Sequence, residues 1–188
     1  MTRESILQAA ATIFQAKGYH AASMQDIAEA VDLKKGSLYH HVNSKQDILL
    51  ALLDEALELI VERLERAITP NLSPRQKLRQ AMQAYLGFLA ENRSLSSVLL
   101  LEYRSLEPEY KDLHIPRRDQ VDCIWQGIIE EGVSTGEFQT SNPGLVSKAL
   151  LGVLNWTITW YREDGPLTTE EIADQFTDLF LQGLKIRE

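Results

Sequence analysis

The chain has 188 residues, 44% of them hydrophobic and 24% charged, with a formal net charge of -8 and a pI of about 5.1. Those values suit an ordinary globular protein, either one large domain or a small head on a larger body. A chain this acidic is a poor general binder of nucleic acid, so any contact with DNA has to be local.

The charge is unevenly spread. Residues 1–48 hold five Lys/Arg and five Asp/Glu, whereas residues 49–188 hold fourteen and twenty-two. A neutral head on an acidic body fits that split. The one cysteine, Cys123, excludes an intrachain disulfide and a cysteine metal cluster, and it reads as a small buried hydrophobe. Arg3, Glu4 and Gln8 interrupt the N-terminus, so no signal peptide is expected there. No segment approaches the ~20 apolar residues of a membrane span. A reducing cytoplasm is the expected compartment, where the sequon-like triplets at Asn71, Asn92 and Asn155 carry no weight.

Ser5 to Lys17 repeats apolar residues at helical spacing through Ile6, Ala10, Ile13 and Phe14, and Gly18 ends the run. Arg3 at its start either reaches a phosphate or frays. Ser23 and Asp26 form the pattern of a capping box for a second helix carrying Met24, Ile27, Ala28 and Val31. Asp32 breaks that helix, and another short one is expected over about Lys35 to Val42. On its wheel Leu38 and Val42 turn inward. Gly36, Ser37 and His40 turn outward, with Tyr39 and His41 on the flanks. Lys34 and Lys35 stand at the entry to this outer face and Lys45 at its exit. No carboxylate occurs from Leu33 through Gln46. In an acidic chain, that gap suits a polyanion such as DNA.

Ser44 and Asp47 open a long helix carrying Leu49, Leu52, Leu53, Ala56, Ile60, Leu64 and Ile68, a candidate connecting rod. Pro70 and Pro74 bracket a linker. Ser73 then starts a fifth helix with Leu78, Met82, Tyr85, Leu86 and Leu89 inward. A shorter helix carries Val98, Leu99 and Leu101 and ends near Ser105. Pro108 and Pro116 are expected to break the next stretch, leaving His114 near Glu109 and Asp112 at the surface. A helix over about Pro116 to Ser134 places Val121, Ile124, Trp125, Ile128 and Ile129 in the core, closed by Gly136. Asn142-Pro143 starts an eighth helix that is apolar nearly all round, from Leu145 to Trp156 and Trp160, with Gly152 open to a close approach. Thr168 and Glu171 box the last helix, Leu167 and Ile172 staple it, and Ile172, Phe176, Leu179, Phe180, Gly183 and Leu184 line its stripe. Two late helices this apolar suggest a dimer interface built as a four-helix bundle, with burial inside one subunit as the competing reading. No strand signal or internal repeat occurs.

The string IAEAVDLKKGSLYHHVNSK, preceded by AATIFQAKGYHAASMQD, resembles the TetR family of bacterial transcriptional regulators. The matching positions are Ala9, Ala10, Phe14, Gly18, Met24, Ile27, Ala28, Ala30, Lys35, Gly36, Ser37, Leu38, Tyr39, His41, Ser44 and Lys45. The resemblance implies an all-α fold of about nine helices. Residues 1–48 would be a three-helix, helix-turn-helix DNA-binding head, and residues 49–188 a ligand-binding and dimerisation bundle. Three departures stand out. Asp32 occupies the turn where the family usually has Gly, Lys34 replaces a small hydroxyl residue, and Val42 replaces Phe. Asp tolerates the left-handed backbone the turn needs.

The later phrases VLLLEYRSLEPEYKDLHIPRRDQ and LLGVLNWTITWYREDGPLTTEEIADQFTDLFLQGL resemble a TetR subgroup whose members sense acyl-CoA thioesters. On that resemblance Met82, Tyr85, Glu102, Arg104, Arg117, Arg118, Trp125, Trp156 and Trp160 are the candidate ligand residues. The arginines suit coenzyme A phosphates, or else pair with Glu102, Glu107 or Asp119. Another apolar small molecule is the open alternative. The four histidines form no His-Glu-x-x-His pair, and no Gly-x-Ser-x-Gly elbow or glycine-rich phosphate loop occurs, so no catalysis, metal or cofactor is expected. The expected protein is a homodimeric repressor of a palindromic operator. Ser23, Met24, Lys34, Lys35, Gly36, Ser37, Tyr39, His40, His41 and Lys45 face the DNA, and a small apolar effector releases it.

Overall fold

The computed structural model describes residues 2–183. Among them are nine α-helices and no strand: α1 (Arg3–Lys17), α2 (Met24–Ala30), α3 (Lys35–Leu38), α4 (Lys45–Ala67), α5 (Pro74–Glu91), α6 (Arg93–Ser97), α7 (Pro108–Ser134), α8 (Pro143–Trp160) and α9 (Thr169–Gly183). Leu184, expected on the α9 stripe, lies outside the described residues.

Most starts follow from local side-chain chemistry. Thr2 and Ser5 cap each other, so α1 begins two residues earlier than its apolar run. Ser73 accepts from the Gln76 amide while the Gln76 side chain accepts from the Ser73 amide. Thr168 and Glu171 do the same for α9. Asn142 Oδ1 accepts from the Leu145 amide at 2.9 Å, ahead of Pro143 in the first turn of α8. Each cap is worth about 1 kcal/mol.

The chain separates into two compact units. The first comprises residues up to 58 together with 92–117, and the second 59–91 together with 118 onward. Helices α4 and α7 each contribute residues to both.

In the first unit Ile6, Ala10, Phe14, Ile27, Ala28, Leu38, Ile48 and Leu53 are all buried. Phe14 meets Tyr19 edge-on, ring centroids 5.3 Å apart. Segment 92–117 closes over this core through a polar seam. Ser94 donates to Gln15, Gln46 donates to the Ser105 carbonyl, and Tyr110 donates to Asp47 at 3.0 Å. Arg117 donates to Glu58 at 2.8 Å and lies 3.4 Å from Asp54.

Three expectations change here. The short helix before Ser105 is a composite: α6 gives way to a π-helical turn over Val98–Glu102 and a 3-10 turn over Tyr103–Ser105, leaving Leu101 exposed. Pro116 does not break the next stretch, since α7 runs straight through it from Pro108. Proline removes one backbone donor, and Pro116 sits on the exposed side of the helix, where its ring meets no packed neighbour element. His114 is therefore not at the surface. The extra turns carry it to the buried face, 4% exposed, with Nδ1 3.4 Å from Asp54.

The second unit packs α5 against α8 and α9. Leu78, Met82, Tyr85, Leu86, Leu89, Trp125, Ile129, Leu150, Leu154 and Ile172 form its core. Buried Lys77 is neutralised by Glu131 at 2.7 Å, and Arg79 pairs with Asp174 and Asp178 on α9. Ile124, Phe176 and Phe180 are not fully buried. Cys123 is exposed rather than a small core residue, because α7 turns that position outward between buried Val121 and Trp125.

Candidate nucleic-acid interface and effector site

The reader is built from α2, a turn and α3. Ser23 Oγ accepts from the Asp26 amide, and Asp26 accepts from both the amide and the hydroxyl of Ser23 at 2.8 Å. Lys17 donates to the other Asp26 oxygen at 2.8 Å. The Lys17 hydrogen bond, aided by those from Ser23, holds the Asp26 carboxyl down at about 2. Asp26 thus locks the end of α1 to the start of α2.

The α2–α3 turn closes as a Schellman motif. Leu33 donates back to the Ala28 carbonyl at 2.8 Å and Asp32 to Glu29 at 3.1 Å. Asp32 carries φ of 54°, the only left-handed non-glycine among the described residues. The departure from the usual glycine is therefore absorbed by backbone geometry that aspartate accepts.

Helix α3 is a single α-turn, shorter than the span to Val42 expected from its wheel. Two tighter turns continue it, His40 donating to Ser37 and His41 to Leu38, and Val42 then donates back to Leu38 across an α-type turn. Lys34 precedes it in extended conformation with no side-chain cap. Leu38 and Val42 are buried as the wheel requires, at 0% and 5% exposure. Lys34, Lys35, Gly36, Tyr39, His40 and His41 are exposed, as is Ser23, whereas Met24 and Ser37 are partly open to solvent. The result is one rim of ammonium, hydroxyl and imidazole groups with no carboxylate among them. Such groups donate to phosphates and read base edges.

Lys45 is engaged within the head. Its ammonium donates to the carbonyls of Tyr19 at 2.9 Å and Ala22 at 2.8 Å, and lies 4.3 Å from the centre of the Tyr19 ring. It pins the α1–α2 loop to the start of α4. Its partners lie 26 and 23 residues away, so nothing local in the sequence pointed to them. Burial and the nearby Glu107 push the Tyr19 hydroxyl up to about 12, so the ring stays neutral beneath the cation.

The nine candidate ligand residues are divided between the two units. Glu102, Arg104 and Arg117 belong to the first unit, and the other six to the second. Arg104 stacks on Tyr103, Arg117 is held by Glu58 and Asp54, and Arg118 pairs with its neighbour Asp119. Glu102 accepts from Ser105 at 3.3 Å. In the second unit Met82 and Tyr85 stand one turn apart on the buried face of α5. Tyr85 meets Trp125 edge-on at 5.8 Å, and Met82 Sδ accepts from Thr177 at 3.2 Å. Tyr85 donates to Asn155 at 2.6 Å. Burial and Asp122 drive the Tyr85 hydroxyl far above its usual range. Asn155, Thr177 and Asp122 were not among the expected residues. A lone amide in an otherwise apolar helix was the available signal for Asn155.

Trp156 and Trp160 do not join this cluster: they are 66% and 45% exposed. Leu145, Val153 and Leu179 share their exposure, and a side chain added at Gly152 would meet nothing.

Residues 6–52 match the family described as bacterial regulatory proteins, tetR family. Residues 71–184 match the one described as tetracyclin repressor-like, C-terminal domain. The chain belongs to the TetR family of bacterial transcriptional regulators. The HTH-type transcriptional repressor KstR2 of Mycolicibacterium smegmatis is 27% identical over 97% of this chain and 90% of its own. PfmR of Thermus thermophilus, a TetR family regulator of known structure, superposes with a TM-score of 0.87 at 38% identity, covering 96% of this chain and 99% of its own. AibR, solved with isovaleryl coenzyme A and operator DNA, superposes with a TM-score of 0.87 at 25% identity, over 94% and 96%. TetR regulators act through operator DNA, and the fold here is theirs. Among the described residues no helix is long and apolar enough to cross a membrane.

Proposed function

We propose that this protein is a cytoplasmic, homodimeric repressor, without enzymatic activity, that leaves a palindromic operator when a small apolar effector binds. The observation that carries the reading is the carboxylate-free rim of Lys34, Lys35, Ser37, Tyr39, His40 and His41 on the α2–α3 reader. Residues 1–48 act as the DNA-binding domain and 49–188 as the ligand-binding and dimerisation domain. Ser37, Tyr39 and His40 enter the major groove. The start of α2 at Ser23 and Met24, with Lys34 and Lys35, holds phosphates. Two heads sit ~34 Å or a multiple apart.

The exposed apolar stripe of α8, with Leu179 of α9, supports dimerisation through the last two helices. A contiguous patch of this kind on a lone subunit marks an interface. Support for an acyl-CoA effector comes from AibR, solved with isovaleryl coenzyme A and operator DNA. The carboxylate pairing of Arg117 and Arg118 favours the second reading, an apolar effector that lacks a coenzyme A moiety.

The test is a gel shift on duplexes selected from a random pool with the purified protein. Tyr39→Ala and His40→Ala each abolish the specific shift while the circular dichroism of the chain is unchanged. Undiminished operator affinity in both variants would remove the reader from the mechanism.

A further inference from the structure

Among the described residues, the core of the second unit holds a buried polar side-chain group that its neighbours leave unserved. Trp125 on α7 is 0% exposed, and its Nε1–H has no hydrogen-bond partner. The Tyr85 ring meets the indole edge-on, its hydroxyl donates to Asn155 Oδ1, and no group of the core accepts from Trp125. An indole nitrogen only donates, so its missing partner is an acceptor. Leaving such a donor unpaired in a dry core is unfavourable, and native proteins rarely do so without a role.

The surroundings restrict what that acceptor is. Tyr85, whose ring meets Trp125 edge-on, and Met82 one turn before it on α5 are buried aromatic and apolar surface. Asp122, one turn before Trp125, is partly buried, and that burial raises its carboxyl above the usual carboxylate range. A charged carboxylate would have to shed its water to reach the fully buried Trp125, so a neutral oxygen suits the place better.

We infer that the Trp125 indole N–H receives the neutral carbonyl oxygen of an acyl effector whose apolar chain lies against Met82 and Tyr85. This rests on reading the second unit as the effector-binding domain. Trp125 is then the residue that separates acyl compounds from alkyl compounds of equal length. Sites built around one buried polar group discriminate strongly against the analogue that lacks its counterpart.

The experiment uses the full-length protein labelled with 15N-tryptophan, which gives three indole N–H signals. Trp125→Phe identifies the Trp125 signal. Should that variant not fold, Trp156→Phe and Trp160→Phe assign it by elimination. The probes are isovaleryl- and decanoyl-coenzyme A, their S-alkyl thioethers lacking the carbonyl, and methyl decanoate. The Trp125 proton moves downfield with a thioester and stays in place with the matching thioether. Trp125→Phe weakens the thioester by about tenfold and the thioether by less than about twofold. A shift with methyl decanoate but with neither thioester keeps this inference and removes coenzyme A from the proposed function. A Trp125 signal already at a hydrogen-bonded position without probe overturns the inference. So does a signal unmoved by every carbonyl probe, or equal losses for thioester and thioether in Trp125→Phe.

Discussion

Removing the Lys45 ammonium separates two roles that a lysine near a DNA reader can have. In the structure it makes two charge-assisted hydrogen bonds, to Tyr19 and Ala22, and lies over the Tyr19 ring. A hydrogen bond to a charged group contributes about 1.5–3 kcal/mol, and a cation over an aromatic face about 0.5–1 kcal/mol at partly exposed sites. These overlap, and Lys45 is only partly buried, so about 3 kcal/mol is a fair expectation for Lys45→Ala. For a chain of this length that lowers Tm by roughly 6–12 °C. The assay is thermal unfolding at one fixed protein concentration, since any dimer makes Tm depend on concentration. It is paired with operator affinity measured across salt. A lysine that binds phosphate behaves otherwise: its loss reduces the salt slope by about one and leaves Tm in place. An unchanged Tm together with a reduced slope would refute the structural role assigned here. Lys45→Arg is expected to fall short of wild type, because a planar guanidinium does not reproduce the geometry of a point ammonium between two carbonyls.

Two further outcomes concern other sites. The Asp26 carboxyl is held low in the folded head by Lys17 and Ser23. Its stabilisation is therefore complete above the unfolded value near ~4 and is lost as pH falls toward about 2. Acid titration of Asp26→Asn, followed by head unfolding, should lack that part of the pH dependence; an identical acid limb would contradict the lock between α1 and α2. Trp156→Asp places a charge on the exposed stripe of α8 and should convert a dimer to a monomer in sedimentation, with secondary structure retained. A variant that sediments as wild type would move the interface elsewhere.

Several features of the candidate site were legible because their causes lie within three or four residues. The Ser23–Asp26 box, the αL position at Asp32 and the inward Leu38 and Val42 are all local hydrogen bonding or helical period. The apolar stripe of α5 was equally visible: Leu78, Met82, Tyr85, Leu86 and Leu89 are all buried. The family match over residues 6–52 and 71–184 agrees with those local signals.

Periodicity could not say which apolar face meets which surface. Helix α8 is apolar nearly all round, so Trp156 and Trp160 read equally well as interior or as outer face until the fold put them outside. Proline at 116 looked like a stop because the propensity of a single residue is local, whereas α7 is held by contacts on both sides of it.

The sequence by itself determined most of the helices and their caps, the reader turn and the family, because each depends on interactions the chain makes with its near neighbours. Only the tertiary structure decided which charges already have partners. Lys45 is bound to carbonyls 26 and 23 residues back, Arg117 to Glu58 59 residues back, and His114 to Asp54 60 residues back. Partners that far apart meet only when the core they surround has formed, and no pattern along the chain records them.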